Sequence, residues 1–286
     1  SGSEVRRILC HFDEPLGDSS CIPTAIISSI IGQDYKVALG GDGADELFGG
    51  YVTNNREYIL QKYFSIFKNN FGHRAFKAFR KVLPERAFFD HLQAYLENKM
   101  PFYGQKFSQD EIKSLLSHLT DVGYPKQHER RPVPPINGLG QYEFNNYLAN
   151  DILVKTDRSS MFHSLELRSP FLDADLIDFA FKELPDNLKA NESERKILLK
   201  KVAKNILPSQ FDWDRKKGFS IPSSVWLDAV GGYDAVIQVI KSSNIIKLPN
   251  DKRELDGLLK TRSNTNEKIF LLYTLVLWED AYGATL

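Results

Sequence analysis

The sequence predicts a helix-rich protein of the α/β class, and two patterns support that prediction. The first is a short apolar run, Val37–Leu39, that stops at a turn rich in glycine and acidic residues. A buried strand ends in this way at the ligand-binding edge of an open α/β sheet. The second is the spacing of apolar side chains by three or four positions over long stretches, which predicts amphipathic helices. We therefore expect a binding site where the strand ends.

Helices are predicted on both sides of that strand. An apolar run with Pro23 in its first turn predicts a helix over residues 22–31. Aromatic residues at helical spacing predict more helices between residues 56 and 100. Ser108 and Glu111 form a capping box, which predicts the start of a helix over 108–119. Further helices are predicted over 142–167, 172–184, 193–207 and 269–282, the last of them as core.

The pattern changes twice along the chain, which predicts three regions. Residues 4–55 carry the α/β pattern. Residues 56–141 read as a helical segment that ends in a loop rich in proline and glycine over 120–141. Residues 142–286 read as a helical C-terminal part.

The composition narrows the classes of function. The 286 residues include 37 basic and 37 acidic side chains, so the formal net charge of zero gives no electrostatic basis for binding nucleic acid or an anionic membrane. Cys10 and Cys21 match neither a disulfide framework nor a zinc pattern, and we expect both to be small, mostly buried side chains. No signal peptide is visible, and the longest apolar stretch, 269–278, is about half the length of a membrane span. A cytoplasmic location is expected.

The most informative motif is the acidic turn, residues 40–46, which reads Gly-Gly-Asp-Gly-Ala-Asp-Glu. Its glycines let backbone amides approach a ligand closely. It lacks the Lys of a Walker A loop, the spacing of a dinucleotide fingerprint and the twelfth-position Glu of an EF-hand. We interpret the turn as a nucleotide site for acyl-phosphate chemistry. The alternative is a structural turn into a helix that Asp42 or Asp45 caps.

Other segments extend the pattern on both sides of the turn. They are His11–Pro15, Asp18–Thr24, residues 151–173 with the run Leu-Arg-Ser-Pro-Phe-Leu-Asp at their end, and residues 214–219 with the run Asp-Arg-Lys-Lys-Gly-Phe. In this order the motifs closely resemble the synthetase domain of glutamine-dependent asparagine synthetases, from about residue 8 to about residue 230.

The resemblance implies a fold and a boundary. The family's pyrophosphate-binding loop, Ser-Gly-Gly-x-Asp-Ser-Ser, and its N-terminal glutaminase domain do not occur in this sequence. We therefore expect the C-terminal part of a synthetase domain. Its fold would be a truncated adenine-nucleotide alpha-hydrolase-like one, with a parallel sheet and flanking helices before a mostly helical C-terminal region. A sheet without its preceding strands would leave an edge or face exposed, which predicts self-association into a homo-oligomer.

The resemblance also implies an activity. ATP adenylates the side-chain carboxylate of aspartate, and ammonia from glutamine then displaces AMP to give asparagine. The expected cofactors are ATP and Mg²⁺. The expected partners are aspartate or another small carboxylate, and ammonia from a glutaminase domain, with no nucleic acid and no membrane. This chain alone is expected to be inactive and to bind ATP weakly. A related carboxylate–amine ligase, which forms lactams or macrocycles or amidates sugar acids, and a non-catalytic binding module remain alternatives.

The motif match assigns roles in the acidic turn and in residues 214–219. Asp42 would recognise the amine or handle its protons, and Lys216 would contact the pyrophosphate as it leaves. Gly40 and Gly41 would present their backbone to the nucleotide, although Gly40 stands where the family often carries Ser. Asp45 would bind Mg²⁺ or fix the conformation of the loop.

Three residues of the segment 151–173 complete the predicted site. Asp151, Lys155 and Arg158 are spaced by four and three positions, so they share one face of the predicted helix. Asp151 and Arg158 would be catalytic, and Lys155 would bind the cofactor. The alternative is a ladder of salt bridges within this helix, which would contribute only tenths of a kcal/mol per pair.

Overall fold

A computed structural model of the chain describes residues 1–80, 87–100, 106–116, 135–211, 213, 221–249 and 265–283, and the single positions 251, 253, 255 and 257. The first half contains α1 (Gly2–Leu9), α2 (Cys21–Ile31), β1 (Val37–Leu39), α3 (Ala44–Phe48), α4 (Val52–Phe64), α5 (Asn70–Arg80), α6 (Ala87–Leu96) and α7 (Gln109–Leu115). The second half contains α8 (Pro135–Glu143), α9 (Leu153–Met161), β2 (Glu166–Arg168), α10 (Ala174–Asp178), α11 (Ile197–Lys204), α12 (Ser223–Ala229), α13 (Gly232–Lys241) and α14 (Thr265–Tyr282).

Shorter or wider helical turns connect several of these elements. The 3₁₀ turns are Ser65–Phe67, Pro170–Leu172 and Asp186–Leu188, and the π-helical segments are Phe144–Ile152 and Phe179–Glu183. The first π-helical segment joins α8 to α9, so a predicted α-helical stretch contains wide turns. Wide turns of this kind often occur at functional sites because they redirect side chains locally.

The sheet of the described residues has two parallel strands. Val37 pairs with Glu166 and Leu39 with Arg168. The prediction of a helix over 142–167 is therefore wrong in its last turns. The backbone of Ser164 adopts the left-handed conformation (φ 55°), which ends the helix and lets the chain enter β2.

The strand at 37–39 forms as predicted, but the prediction that it is buried is wrong for the described residues. Val37 is 41% exposed and Leu39 is 74% exposed. Both side chains point to the same face of the sheet because side chains alternate along a strand. No element among the described residues covers that face, so the predicted exposed face is present.

The predicted loop over 120–141 falls largely on residues outside the described ranges, but its last part is helical. Pro135 begins α8, where its missing N–H costs no hydrogen bond. The next two backbone amides, of Ile136 and Asn137, donate to the carboxylate of Asp186 at 2.9 and 3.0 Å. This cap lies about fifty positions further along the chain, so no local sequence signal announces it.

The largest core cluster packs α1, α2, α12 and α13 around α14. Trp226 lies at its centre, with the ring of Phe270 edge-on at 5.3 Å and the ring of Tyr273 stacked at 6.0 Å. The prediction that residues 269–282 form a core helix is confirmed. Although α14 is apolar, no helix in the described ranges combines the length and hydrophobicity needed to cross a bilayer.

Several other local predictions are confirmed. The helix with Pro23 in its first turn spans Cys21–Ile31. The capping box of α7 forms, since the hydroxyl of Ser108 accepts from the amide of Glu111 and the carboxylate of Glu111 accepts from the amide of Ser108. The prediction that both cysteines are mostly buried is confirmed for Cys21, which is fully buried, but not for Cys10, which is only partly buried; both are free thiols. The proposed region boundaries after residues 55 and 141 fall inside α4 and α8 and stay predictions.

Candidate active site

The acidic turn links the carboxyl end of β1 to the start of α3. Gly43 adopts a left-handed conformation (φ 91°) just before α3, which a residue with a side chain would adopt only with strain. Gly40 packs so closely on Leu167 of β2 that a Cβ atom would lie 2.5 Å from its Cδ2. Gly41 faces open space instead. Of the two glycines predicted to contact the nucleotide, Gly41 is therefore the one whose backbone is open to a ligand.

The three acids of the turn have different surroundings. The carboxylate of Asp42 is partly exposed and makes no hydrogen bond or ion pair within the described part of the chain. Asp45 forms an ion pair with the ammonium of Lys196 at 2.9 Å. Glu46 is buried and accepts a hydrogen bond of 2.5 Å from the hydroxyl of Tyr51. Burial raises the pKa of Glu46, although the Tyr51 hydroxyl opposes the rise.

Two residues of the predicted shared face, Lys155 and Arg158 of α9, bind carboxylates of another segment. The ammonium of Lys155 donates to Asp18 at 2.9 Å, and the guanidinium of Arg158 donates to Asp13 at 3.0 Å. Both acids lie in the loop between α1 and α2, which carries two of the motifs of the sequence pattern. The alternative of a salt-bridge ladder within the helix does not hold for these two residues, because their partners are more than a hundred positions away.

Asp18 is the centre of this contact. Its carboxylate also accepts from the backbone amide of Ser20 at 2.9 Å and from the hydroxyl of the same residue at 2.8 Å. Burial would raise the pKa of Asp18, but the Lys155 ammonium and the Ser20 donors outweigh that effect and hold the pKa below its usual value. Asp18 therefore stays ionised at neutral pH.

Asp151 lies where the π-helical segment meets α9, and its pKa shifts in the direction opposite to that of Asp18. Burial, reinforced by the nearby Asp18 carboxylate, raises the pKa of Asp151 to about 6, while Lys155 opposes the rise. Its Oδ1 atom is buried and makes no hydrogen bond among the described residues. A carboxyl group with a pKa near neutrality can take up and release protons, as a general base must.

A cavity of about 850 Å³ opens beside this cluster. Acidic and aromatic side chains line it together, among them Asp18, Tyr51, Glu143, Tyr147, Asp151, Trp226, Glu267 and Phe270. Burial, and the carboxylate of Asp151 next, raise the pKa of Tyr147, so its hydroxyl stays protonated and can donate a hydrogen bond. The volume falls in the range that small-molecule sites occupy.

The structure brings together only part of the predicted site. Asp151 lines the cavity, and Lys155 binds Asp18, which also lines it. Asp42 and Arg158 are not part of the lining. Lys216 lies outside the described residues, so its predicted contact with the leaving pyrophosphate stays a prediction.

Sequence reasoning missed several residues that the fold adds to the site. Asp18 was inside a motif, but nothing local indicated that it is the partner of Lys155. Tyr51 directly follows the adjacent glycines Gly49 and Gly50, and this position was its only signal. Tyr147, Glu143 and Lys196 gave no signal, because their roles depend on contacts between distant segments.

A metal site is not preformed in this arrangement. No group of three or more His, Cys, Asp or Glu residues within the described ranges lies close enough to hold an ion. Mg²⁺ usually takes only one or two protein carboxylates and completes its shell with phosphates and water. The assignment of Asp45 to Mg²⁺ therefore stays a prediction, and its carboxylate is bound by Lys196 in this structure.

The described residues form a helix-rich α/β fold whose small parallel sheet ends in the acidic turn. The family model for asparagine synthase matches residues 3–278, and the chain belongs to this family.

Curated relatives agree with this assignment. "Asparagine synthetase [glutamine-hydrolyzing] 1" of Bacillus subtilis (strain 168) is 32% identical over 291 residues, which cover 96% of this chain and 45% of the relative. "Putative asparagine synthetase [glutamine-hydrolyzing]" of Mycobacterium bovis (strain ATCC BAA-935 / AF2122/97) is 28% identical over 285 residues, or 95% of this chain and 43% of the relative. The chain thus spans less than half the length of these relatives. No solved structure matches it.

Proposed function

We propose that this chain is part of an ATP-dependent, amide-forming synthetase that converts aspartate to asparagine with ammonia taken from glutamine. The observation that carries the proposal is the position of the acidic turn at the carboxyl end of β1, in a chain that belongs to the asparagine synthase family. The names of the relatives support the nitrogen source, since both are described as glutamine-hydrolysing.

The turn fits a nucleotide in one respect. A Cβ atom at Gly41 would meet nothing within 4 Å, so its backbone can approach a phosphate or ribose without rearrangement. ATP is a substrate here, and it supplies the activation of the carboxylate as an acyl-adenylate. For Mg²⁺ the turn offers the uncommitted carboxylate of Asp42, and Asp45 only if Lys196 releases it.

Asp42 and Asp151 are the two groups suited to proton transfer. Ammonia that attacks an acyl carbon must lose a proton, and a carboxylate within hydrogen-bond reach can accept it. Asp42 is suited because no partner among the described residues competes for its oxygens. Asp151 is suited because its pKa of about 6 lies close to the working pH.

Lys155 and Arg158 have a different role in this proposal. Lys155 is only 13% exposed and its ammonium is bound to Asp18. Arg158 holds Asp13 of the same loop at 3.0 Å. The two bases therefore fix the loop between α1 and α2 against α9, and the loop forms one wall of the cavity. This positioning supplements the cofactor contact predicted for Lys155.

The test is product formation by the full-length natural protein, supplied with ATP, Mg²⁺, aspartate and an ammonium salt. We expect asparagine and pyrophosphate in equal amounts. Replacing Asp42→Asn should lower kcat by at least about a hundred-fold, the range expected for loss of a general base. The control is Asp178→Asn, since Asp178 is exposed and, among the described residues, forms an ion pair with Lys182 and with no residue of the acidic turn. Pyrophosphate release without asparagine, or an unchanged rate for Asp42→Asn, would contradict the proposal.

A second candidate is the same chemistry on a larger carboxylate or with an organic amine in place of ammonia. The aromatic side chains of Tyr51, Tyr147, Trp226 and Phe270 along the cavity favour it, because aspartate offers no apolar surface for them. Competition between aspartate and aromatic or aliphatic amino acids for pyrophosphate release separates the two candidates.

A further inference from the structure

Lys196 occupies an unusual position just before α11. Its backbone adopts the left-handed conformation (φ 53°), which costs free energy for a residue with a side chain. Such strain persists only where the surrounding structure enforces it, and it often occurs near functional sites. The conformation directs the Lys196 side chain to Asp45, with the ammonium 2.9 Å from the carboxylate.

Gly50 shows that this ion pair is built into the packing. A Cβ atom at Gly50 would lie 1.7 Å from Oδ1 of Asp45 and 2.3 Å from Cε of Lys196. Real Cβ atoms do not approach other atoms so closely, so the pair fills the space that any larger residue would need. The ion pair therefore explains why position 50, the second of the two adjacent glycines Gly49 and Gly50, carries glycine.

Lys196 directly follows a short hairpin formed by residues 190–195. An antiparallel bridge joins Ala190 to Arg195, and the side chain of Asn191 accepts from the amides of Ser193 and Glu194 at 2.9 and 2.8 Å. The hairpin thus holds its own shape through local hydrogen bonds, as Asn-containing turns commonly do.

The same hairpin is attached to elements around the turn. Asn55 of α4 donates to the carbonyl oxygens of Asn191 and Glu194 at 2.6 and 3.0 Å. Arg195 donates to the carbonyl oxygen of Gly50 at 3.1 Å. Two consecutive cations therefore reach this region: Arg195, at the end of the hairpin, contacts Gly50, and Lys196, directly after the hairpin, contacts Asp45 of the acidic turn.

We propose that Lys196 is a positioning residue for the acidic turn: its ammonium, carried by the 190–195 hairpin, fixes Asp45 and so sets the conformation in which Asp42 faces the substrate. The inference rests on the proposed function of the turn. It gives Asp45 the role of the internal counter-ion of the turn. It also explains why the chain keeps a strained lysine at a position where glycine would be easier to accommodate.

The experiment compares amide hydrogen exchange in residues 44–50 among Lys196 variants. Lys196→Met removes the ammonium, Lys196→Arg keeps a cation, and Lys196→Gly removes the ammonium while relieving the backbone strain. The control is Lys182→Met, which removes a lysine from an exposed pair with Asp178. The Gly variant guards against a failure to fold, because a left-handed backbone suits glycine.

We expect exchange in residues 44–50 to rise about five- to ten-fold in Lys196→Met and Lys196→Gly, since loss of the pair lowers the cost of local opening. Lys196→Arg should stay within about two-fold of the parent, and Lys182→Met should not change this segment. In the full-length protein, Lys196→Met should lower kcat more than it raises KM for ATP, and Lys196→Arg should restore most of kcat.

Unchanged exchange in both Lys196→Met and Lys196→Gly would overturn the inference, and so would an Arg variant as fast as the Met variant. Because hydrogen exchange needs no turnover, it decides the role of Lys196 even if the parent protein makes no asparagine. The absence of asparagine would instead refute the proposed function.

Discussion

Replacing Asp151→Asn should stabilise the protein at neutral and alkaline pH. The pKa of Asp151 rises from an ordinary 3.8 to about 6 because the carboxyl group is buried next to Asp18. A carboxyl group with a higher pKa in the folded state prefers to be protonated there. Ionising it therefore costs folding free energy, and this penalty is absent below pH 3.8 and complete above about pH 6.

The size of the effect follows from the pKa difference. A rise from 3.8 to about 6 corresponds to about 3 kcal/mol, and partial solvent screening reduces the expected effect to about 2 kcal/mol. Asparagine has nearly the same shape as aspartate and cannot ionise. The substitution also removes no hydrogen bond from Oδ1 of Asp151, since that atom has no partner among the described residues. The variant should thus gain about 2 kcal/mol at pH 8 and almost nothing in acid.

Urea denaturation at a series of pH values from about 4 to about 8 measures this difference directly. Asp157→Asn is the matched control, because Asp157 lies in the adjoining helix α9 but is exposed. The reasoning is refuted if Asp151→Asn destabilises the protein at pH 8, or if its effect does not depend on pH. A gain in stability together with a loss of activity would fit a residue kept for catalysis at a cost in stability.

Three other predictions concern single sites. Burial lowers the pKa of Lys189 from 10.5 to about 8, so the free energy of unfolding should rise as the pH increases from 8 to 10.5, and Lys189→Met should abolish that rise in urea titrations. Cys21 is fully buried with its pKa raised to about 12, so a thiol reagent followed by mass spectrometry should modify Cys10 first; preferential labelling of Cys21 would contradict the packing. Leu39→Lys should reduce self-association in sedimentation experiments at high concentration while changing stability by less than about 0.5 kcal/mol, because the side chain is 74% exposed; a parent chain that is already monomeric would disprove the premise.

Features encoded within a few residues were predictable from the sequence. The capping box of Ser108 and Glu111 depends on groups three positions apart, and it forms as expected. The apolar side chains over 269–282 predict a buried helix whatever it packs against, and the helix forms. The acidic turn was likewise visible, because glycine and aspartate in this order have few structural uses.

Features that depend on distant partners were not predictable. Residues 166–168 carry no strong strand pattern and become β2 because β1 offers hydrogen bonds to them. The start of α8 depends on the carboxylate of Asp186, about fifty positions away. The prediction that β1 is buried was wrong. An apolar strand shows only that packing another element against it would be favourable, and among the described residues no element packs there.

The sequence alone determined the family, the acidic turn and the helical character of the chain, because each is written in contiguous or regularly spaced residues. The tertiary structure decided which charges meet. Lys155 binds Asp18, Arg158 binds Asp13 and Lys196 binds Asp45. The ionisation of Asp151 was likewise decided by folding, which buries its carboxyl group and brings the Asp18 carboxylate close to it.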